Sequence, residues 1–307
     1  SIADLPHVGT VASRLDPELA QRLVSHVESL LAEREALFGA RGIDSVNTFR
    51  QLRLDGKLTG VSAADVFLVI DGWAAFRERF EGLEPVIADL ASRGLGYGIH
   101  VVITANRWME FRANVIDAIG GRLELRLNSA LDSAIDRKRA AIIRADQAGR
   151  GLHPSTLLHH VSVPRLDGLA TTELLSDATA VAVEHIAARW EGERAPAVRL
   201  LPTMITVREI EAQEQAAANA FGDKITNSDV GAPAGAVRPR GVVGLAEPGM
   251  APWRFDLGGS EPHFMVFGDG ESGKTTFLDT WLRGLSERVP ATDAQIVLVD
   301  YRRTLLE

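Results

Sequence analysis

Mostly parallel sheets flanked by helices, an α/β architecture, are what this sequence predicts, and three observations carry the prediction. Short apolar runs that end in polar residues, such as "VFLVID", "HVVITANR", "HFMVF" and "IVLVD", alternate with amphipathic helical stretches. The runs are continuous rather than alternating, as strands covered on both faces are. One of them is followed by a glycine-rich turn that opens a helix, "GDGESGKTTFL".

The elements follow in order. Asp16 stands as an N-cap before Pro17, and Leu19, Leu23, Val27, Leu30 and Leu31 recur at helical spacing until Gly39 to Gly42 end the run. "DSVNTFRQLRLDG" is a second, shorter helix, and "ADVFLVIDGW" a buried strand ending in the carboxylate of Asp71. "EPVIADLASRG" is a crossover helix stopped by Gly94, and "GIHVVITANR" the next buried strand. "RLELRLNS" reads as a further strand, "LDSAIDRKRAAII" as helical, "LLHHVSVPRLDG" as an edge strand closed by Pro164, and "TTELLSDATAVAVEHIAARW" as an amphipathic helix with a threonine cap. The composition then changes: "EGERAPAVRLLP" and "TNSDVGAPAGAVRPRG" are rich in Gly, Pro and Ala and bracket the helical "TVREIEAQEQAAANAF". A second α/β pattern begins near "GVVGLAE" and runs through "WRFDL", "HFMVF", the helix "TTFLDTWLRGLSERV" and the strand "QIVLVD".

Composition bounds the function. A chain of 307 residues with 46% hydrophobic and 24% charged residues has the balance of a globular protein and length for two domains. It holds no apolar run long enough for a transmembrane helix, and "SIADLPHVGT" lacks the features of a signal peptide. The absence of cysteine leaves no disulfide framework and no thiolate metal site. A formal charge of −8 is not the footprint of a nonspecific nucleic-acid binder.

The chemistry concentrates in Gly268, Asp269, Gly270, Glu271, Ser272, Gly273, Lys274, Thr275 and Thr276, a phosphate-binding loop of the form G-x-x-x-x-G-K-[ST]. The glycines let successive N–H groups converge on phosphate oxygens, and the helix that follows adds its positive dipole end. Lys274 reaches for the β- and γ-phosphates, and the hydroxyl of Thr275 for Mg²⁺. Such a site needs a second carboxylate on a strand end. Asp300, ending "IVLVD", follows Lys274 closely enough that only the loop's own helix fits between them, so it reads as a strand-end acid. Asp71, ending "VFLVID", is the better magnesium-facing acid, with Thr104, Asn106 and Arg107 of "ITANR" in the position of a sensor strand. Asp71 precedes the lysine loop, whereas within one module the acid follows it.

These residues together resemble the FtsK/SpoIIIE class of ring-forming ATPases, and most closely the EccC motors of actinobacterial type VII (ESX) secretion. The stretches that carry the resemblance are "LPHVGTVASRLD", "DVFLVIDGWAAFR", "GLGYGIHVVITANRW", "GGRLELRLNSALDSAIDRKRA", "VPRLDG", "LPTMITVREI" and "EPHFMVFGDGESGKTTFL". The resemblance implies RecA-like P-loop NTPase modules in tandem, with ATP and Mg²⁺ as cofactors. Residues 1–190 would be the C-terminal part of one module, 191–240 an inter-module connection with one helix, and 241–307 the N-terminal part of the next. The alternative, a circular permutant with Asp71 beside Thr275, stays open. The resemblance also implies that active motors of this class usually carry a glutamate directly after the strand-end aspartate, or nearby, to polarise water, and Asp71 is followed here by Gly72 and Trp73, which leaves hydrolysis in question. Arg122 and Arg126 are candidates for an arginine finger, and the "DSR" of related motors is here Asp132-Ser133-Ala134. Also implied are export of small helical-hairpin substrates through a C-terminal signal, contact with the membrane subunits of the secretion system, and a homo-oligomeric ring in the full-length protein. The location would be cytoplasmic, at the inner face of the cell membrane through parts outside this chain. A DNA translocase is the other main occupation of the class.

Overall fold

The computed structural model describes residues 1–58, 61, 64–221, 240–247, 250–256, 263–301 and 305. Internal packing divides the chain into two units, Ser1–Leu200 and Leu201–Glu307.

The first unit is built on a pair of parallel strands, β1 (Val66–Ile70) and β2 (Ile99–Ile103), in register from Val66 opposite Ile99 to Ile70 opposite Ile103. The α-helices α1 (Pro17–Arg41) and α2 (Val46–Leu54) precede β1, and α3 (Trp73–Arg79) and α4 (Glu84–Arg93) make the crossover to β2. The core joins Val24, Val27 and Leu31 of α1, Leu68 and Ile70 of β1, Ile87 and Leu90 of α4, Ile99, and the fully buried Trp73. Arg34 of α1 enters this layer and donates to the carbonyls of Ala64 (2.9 Å) and Tyr97 (2.5 Å), so its buried guanidinium ties the helix to both strand entries. Asp16 begins α1, but its carboxylate accepts from the hydroxyl and N–H of Ser13 instead of capping the helix. Ser45 caps α2 in the ordinary way, accepting from the Thr48 N–H.

After β2 come α5 (Ala113–Ala118), β3 (Glu124–Leu125), the single turn α6 (Arg137–Ala140), β4 (Arg150–Leu152) and β5 (Leu158–His160). The three strands form a small antiparallel sheet in the order β3-β4-β5, and α7 (Leu175–Ala188) follows. "RLELRLNS" and "LDSAIDRKRAAII" are therefore much less regular than their periodicity suggests.

The sheet of the first unit is covered on one face only. Phe67, Val69 and Val102 point away from α1 and α4 and are 62%, 63% and 46% exposed, so "VFLVI" is not buried on both faces as the apolar run predicts. A continuous apolar strand needs two covering layers, and the described residues supply one.

In the second unit α8 (Val207–Phe221) packs on the antiparallel hairpin β6 (Arg240–Ala246) and β7 (Ala251–Asp256), with α9 (Lys274–Arg288) also against β6. α8 is thus part of this unit's packing. Gly241 and Gly284 let strand and helix approach closely, since a Cβ on Gly284 would lie 3.3 Å from the Gly241 Cα. Phe264, Phe277, Trp281 and Trp253 form an aromatic cluster at centroid distances of 5.6–6.2 Å. Residues 263–269 and 294–300, read as strands from "HFMVF" and "QIVLVD", form no ladder, and Met265, Phe267, Val297 and Val299 are exposed.

Candidate functional site

Asp71 lies at the C-terminal end of β1, beside the C-terminal end of β2, the edge where open α/β sheets bind ligands. The Thr104 hydroxyl donates to Asp71 Oδ1 (2.5 Å) and accepts from the Gly72 N–H (2.9 Å). The Trp73 N–H donates to the Thr104 carbonyl (2.9 Å), so the turn after the acid is fastened to the neighbouring strand at two points. Asp71 is exposed at this edge, oriented by Thr104, with a second oxygen available to a cation. Gly72 starts α3 at φ 84°, a left-handed conformation that side chains adopt at a cost. The position directly after the acid is therefore one at which this backbone favours glycine.

Asn106 is exposed on the loop leaving β2, and its N–H donates to the Glu110 carboxylate (3.4 Å). Arg122 and Arg126 are both exposed near β3. Arg122 is engaged locally, donating to the Ile116 carbonyl (3.1 Å) with its guanidinium 5.7 Å from the centre of the Trp108 ring. Between them stands a residue that sequence patterns did not single out. Glu124 is buried, and its carboxylate accepts from Trp108 Nε1 (2.5 Å), the Ala134 N–H (2.8 Å) and the Ser133 hydroxyl (2.7 Å). The Asp132-Ser133-Ala134 turn thus serves to hold a buried acid. Its only sequence signal is a charged residue within an apolar strand pattern.

The lysine loop is in the second unit. Glu271 and Gly273 have φ of 59° and 90°, a pair of left-handed residues that turns the backbone into the start of α9. Lys274 folds its ammonium back across the loop, donating to the carbonyls of Gly268 (2.7 Å) and Asp269 (2.5 Å) and lying 3.3 Å from the Ser272 hydroxyl. A Cβ on Gly268 would lie 2.2 Å from that hydroxyl, so a side chain there would displace the Ser272 hydroxyl from its place beside Lys274. Phe277 donates back to the Gly273 carbonyl (2.8 Å), and the N–H groups before it open the helix without intrahelical partners. Those N–H groups, the dipole end of α9, the Lys274 ammonium and the exposed Thr275 hydroxyl form a donor set that fits a phosphate chain with its magnesium. Asp300, at the end of "IVLVD", accepts from the Leu305 N–H (2.9 Å).

Beside this loop lies a cavity of about 400 Å³. It is walled by Val207 and Ile210 of α8, Val243 and Gly244 of β6, and Thr276 and Phe277 of α9. No local pattern in the chain announces it, because its walls come from three separated segments.

The FtsK/SpoIIIE family model matches residues 1–163. Over its whole length the chain is 39% identical to the ESX secretion system protein EccC of Thermomonospora curvata, of which it spans 22%. It is 33% identical to the ESX-1 secretion system protein EccCb1 of Mycobacterium tuberculosis, of which it spans 49%. Among solved structures, that of T. curvata EccC (ATPases 2 and 3) in complex with a signal sequence peptide matches 99% of this chain and 51% of that one, with a TM-score of 0.77 at 39% identity. The chain therefore spans between about a fifth and a half of these relatives.

Proposed function

The chain belongs to the FtsK/SpoIIIE family of P-loop NTPases, and from that premise we propose that it is the junction between two tandem ATPase modules of a type VII secretion motor. Residues 1–190 supply the acid-bearing half of one module and residues 241–307 the lysine-loop half of the next. The observation that carries this reading is the match along the whole chain to a two-ATPase structure, half of which it spans, together with an acid near the start and a lysine loop near the end. The one-sided covering of β1 and β2 supports it, since the exposed face is where the rest of the first module would pack.

In this reading the loop from Gly268 to Thr276 grips the phosphates of ATP through its N–H groups and Lys274, and Thr275 holds Mg²⁺. Asp71, fixed by Thr104, holds the magnesium of the preceding module, with Asn106 beside it as sensor. Magnesium supplies charge neutralisation on the transferring phosphate. Arg126 is the better arginine-finger candidate, because Arg122 is already engaged with Ile116 and Trp108. Without a glutamate after Asp71, the first module binds nucleotide and turns it over weakly or not at all.

The motor recognises small helical-hairpin substrates through a C-terminal signal and works as a ring with membrane subunits of the secretion system. The signal peptide bound to the T. curvata protein supports this by analogy. The test is Lys274→Ala in the full-length protein in its own bacterium. Export of the helical substrates should fall at least tenfold while the variant accumulates normally. Undiminished export would contradict the proposal.

A further inference from the structure

We infer that Glu124 is a positioning residue that transmits nucleotide occupancy at the Asp71 edge to the strand carrying Arg122 and Arg126. The inference rests on the proposed placement of a magnesium nucleotide at Asp71 and adds a route from that nucleotide to the two arginines.

The route begins at the acid. Thr104 donates to Asp71, and the Trp73 N–H donates to the Thr104 carbonyl. The buried indole of Trp73 reaches the loop after β2, its Nε1 donating to the Glu110 carbonyl at 3.2 Å. Arg77, one turn further along α3, donates to the same oxygen at 2.6 Å. The Glu110 carboxylate accepts from the Asn106 N–H at 3.4 Å. The sensor loop is therefore held against α3, and Trp108–Glu110 closes it as a single 3-10 turn.

Trp108 opens that turn and carries the connection to the small sheet. Its Nε1 donates to Glu124 Oε1 at 2.5 Å, joining residues 16 apart in the chain. Glu124 begins β3, with Arg122 and Arg126 two positions to either side. The carboxylate thus anchors the chain midway between two exposed arginines. The Arg122 guanidinium also lies 5.7 Å from the centre of the Trp108 ring. Behind Glu124, the Ser133 hydroxyl and the Ala134 N–H donate at 2.7 and 2.8 Å. Ser133 Oγ in turn accepts from the N–H groups of Ile135 (3.2 Å) and Asp136 (3.0 Å), which fixes the turn.

Burial makes the link stiff. Glu124 is 3% exposed, so water does not replace a donor that leaves. A buried carboxylate deprived of Trp108 is left undersatisfied, and that penalty keeps indole and acid together. A displacement of the sensor loop on nucleotide binding therefore moves Glu124, and β3 with it.

The test is hydrogen–deuterium exchange of the full-length protein with and without Mg²⁺ and a non-hydrolysable ATP analogue. In the wild type the nucleotide should slow exchange in residues 99–107 and also in 120–136. Asp71→Ala should weaken both responses together. Trp108→Phe keeps an aromatic ring and removes the Nε1 donor. It should keep the response of 99–107 and reduce that of 120–136 at least about fivefold, the low end of common coupling between sites. Glu124→Gln should act in the same way, and it decides if Trp108→Phe loses its cooperative melting. A wild-type response at 99–107 with none at 120–136 would overturn the relay and leave the Asp71 site standing. A response at 120–136 that survives in a folded variant would overturn it equally. Loss of both responses in folded Trp108→Phe would show a structural role only, against the inference. If no response at 99–107 depends on Asp71, the nucleotide site fails and takes the relay with it.

Discussion

A glutamate introduced directly after Asp71 should fail to raise turnover, because of the backbone conformation at Gly72. Its φ of 84° is left-handed, and no atom lies within 4 Å of where a Cβ would stand. Substitution therefore meets no steric wall, and its cost is the backbone strain of any side chain in that conformation, about 1–2 kcal/mol. Alanine and glutamate should then destabilise alike in urea unfolding of the chain, by that amount. Relief by rotating the turn would break the Gly72 N–H bond to Thr104, the hydroxyl that orients Asp71. Gly72→Glu in the full-length protein should accordingly leave phosphate release unchanged. A neutral Gly72→Ala, a Gly72→Glu much worse than Gly72→Ala, or a tenfold gain in turnover with glutamate would each refute the reasoning.

Three further outcomes follow from the structure. Asp65, just before β1, is held at a pKa of about 2, mainly by its hydrogen bonds from Arg50 of α2 and also by His100 of β2. Its folded value is below the unfolded one of about 3.9, so its contribution is present above pH ~4 and is lost as pH falls toward 2. With solvent screening that contribution is on the order of 1 kcal/mol, and acid unfolding of Asp65→Asn should show a correspondingly flatter pH dependence. Ser133→Ala removes one of the three donors on buried Glu124 and should cost about 2 kcal/mol, read as a lower Tm; an unchanged Tm would show that the turn does not hold the acid. Val69→Asp should change the stability of the 307-residue chain by less than about 0.5 kcal/mol, because Val69 is 63% exposed. In the full-length protein the same change should cost at least about 2 kcal/mol if that face is covered there, and equal tolerance in both settings would argue against a covering half-module.

What could be read from the sequence was what local patterns determine. The α1 and α2 helices, the crossover α4 and the parallel pair β1 and β2 all follow from apolar periodicity, N-cap residues and strand-length runs. The family was legible too, from motifs spread along the chain. The remainder depends on neighbours that a linear pattern does not specify. "HFMVF" and "QIVLVD" have strand composition, yet a ladder needs a partner edge, and residues 263–269 and 294–300 form none. Asp16 has the identity and position of a cap, but Ser13 takes its carboxylate. The left-handed turn at Gly72, the three donors converging on Glu124 and the cavity beside Gly273 join residues that are remote in sequence or set by backbone geometry. Of these, Glu124 alone has a local signal, a charge within an apolar strand pattern.

In the tandem-module reading, Asp71 and Lys274 serve two different nucleotides. The most direct test is an experimental structure of the full-length protein with Mg²⁺ and a non-hydrolysable ATP analogue. The nucleotide on Lys274 and Thr275 should take its acid from residues after 307, and Asp71 should face a nucleotide held by a lysine from before residue 1. One analogue gripped by Lys274 and Asp71 of the same polypeptide would contradict it.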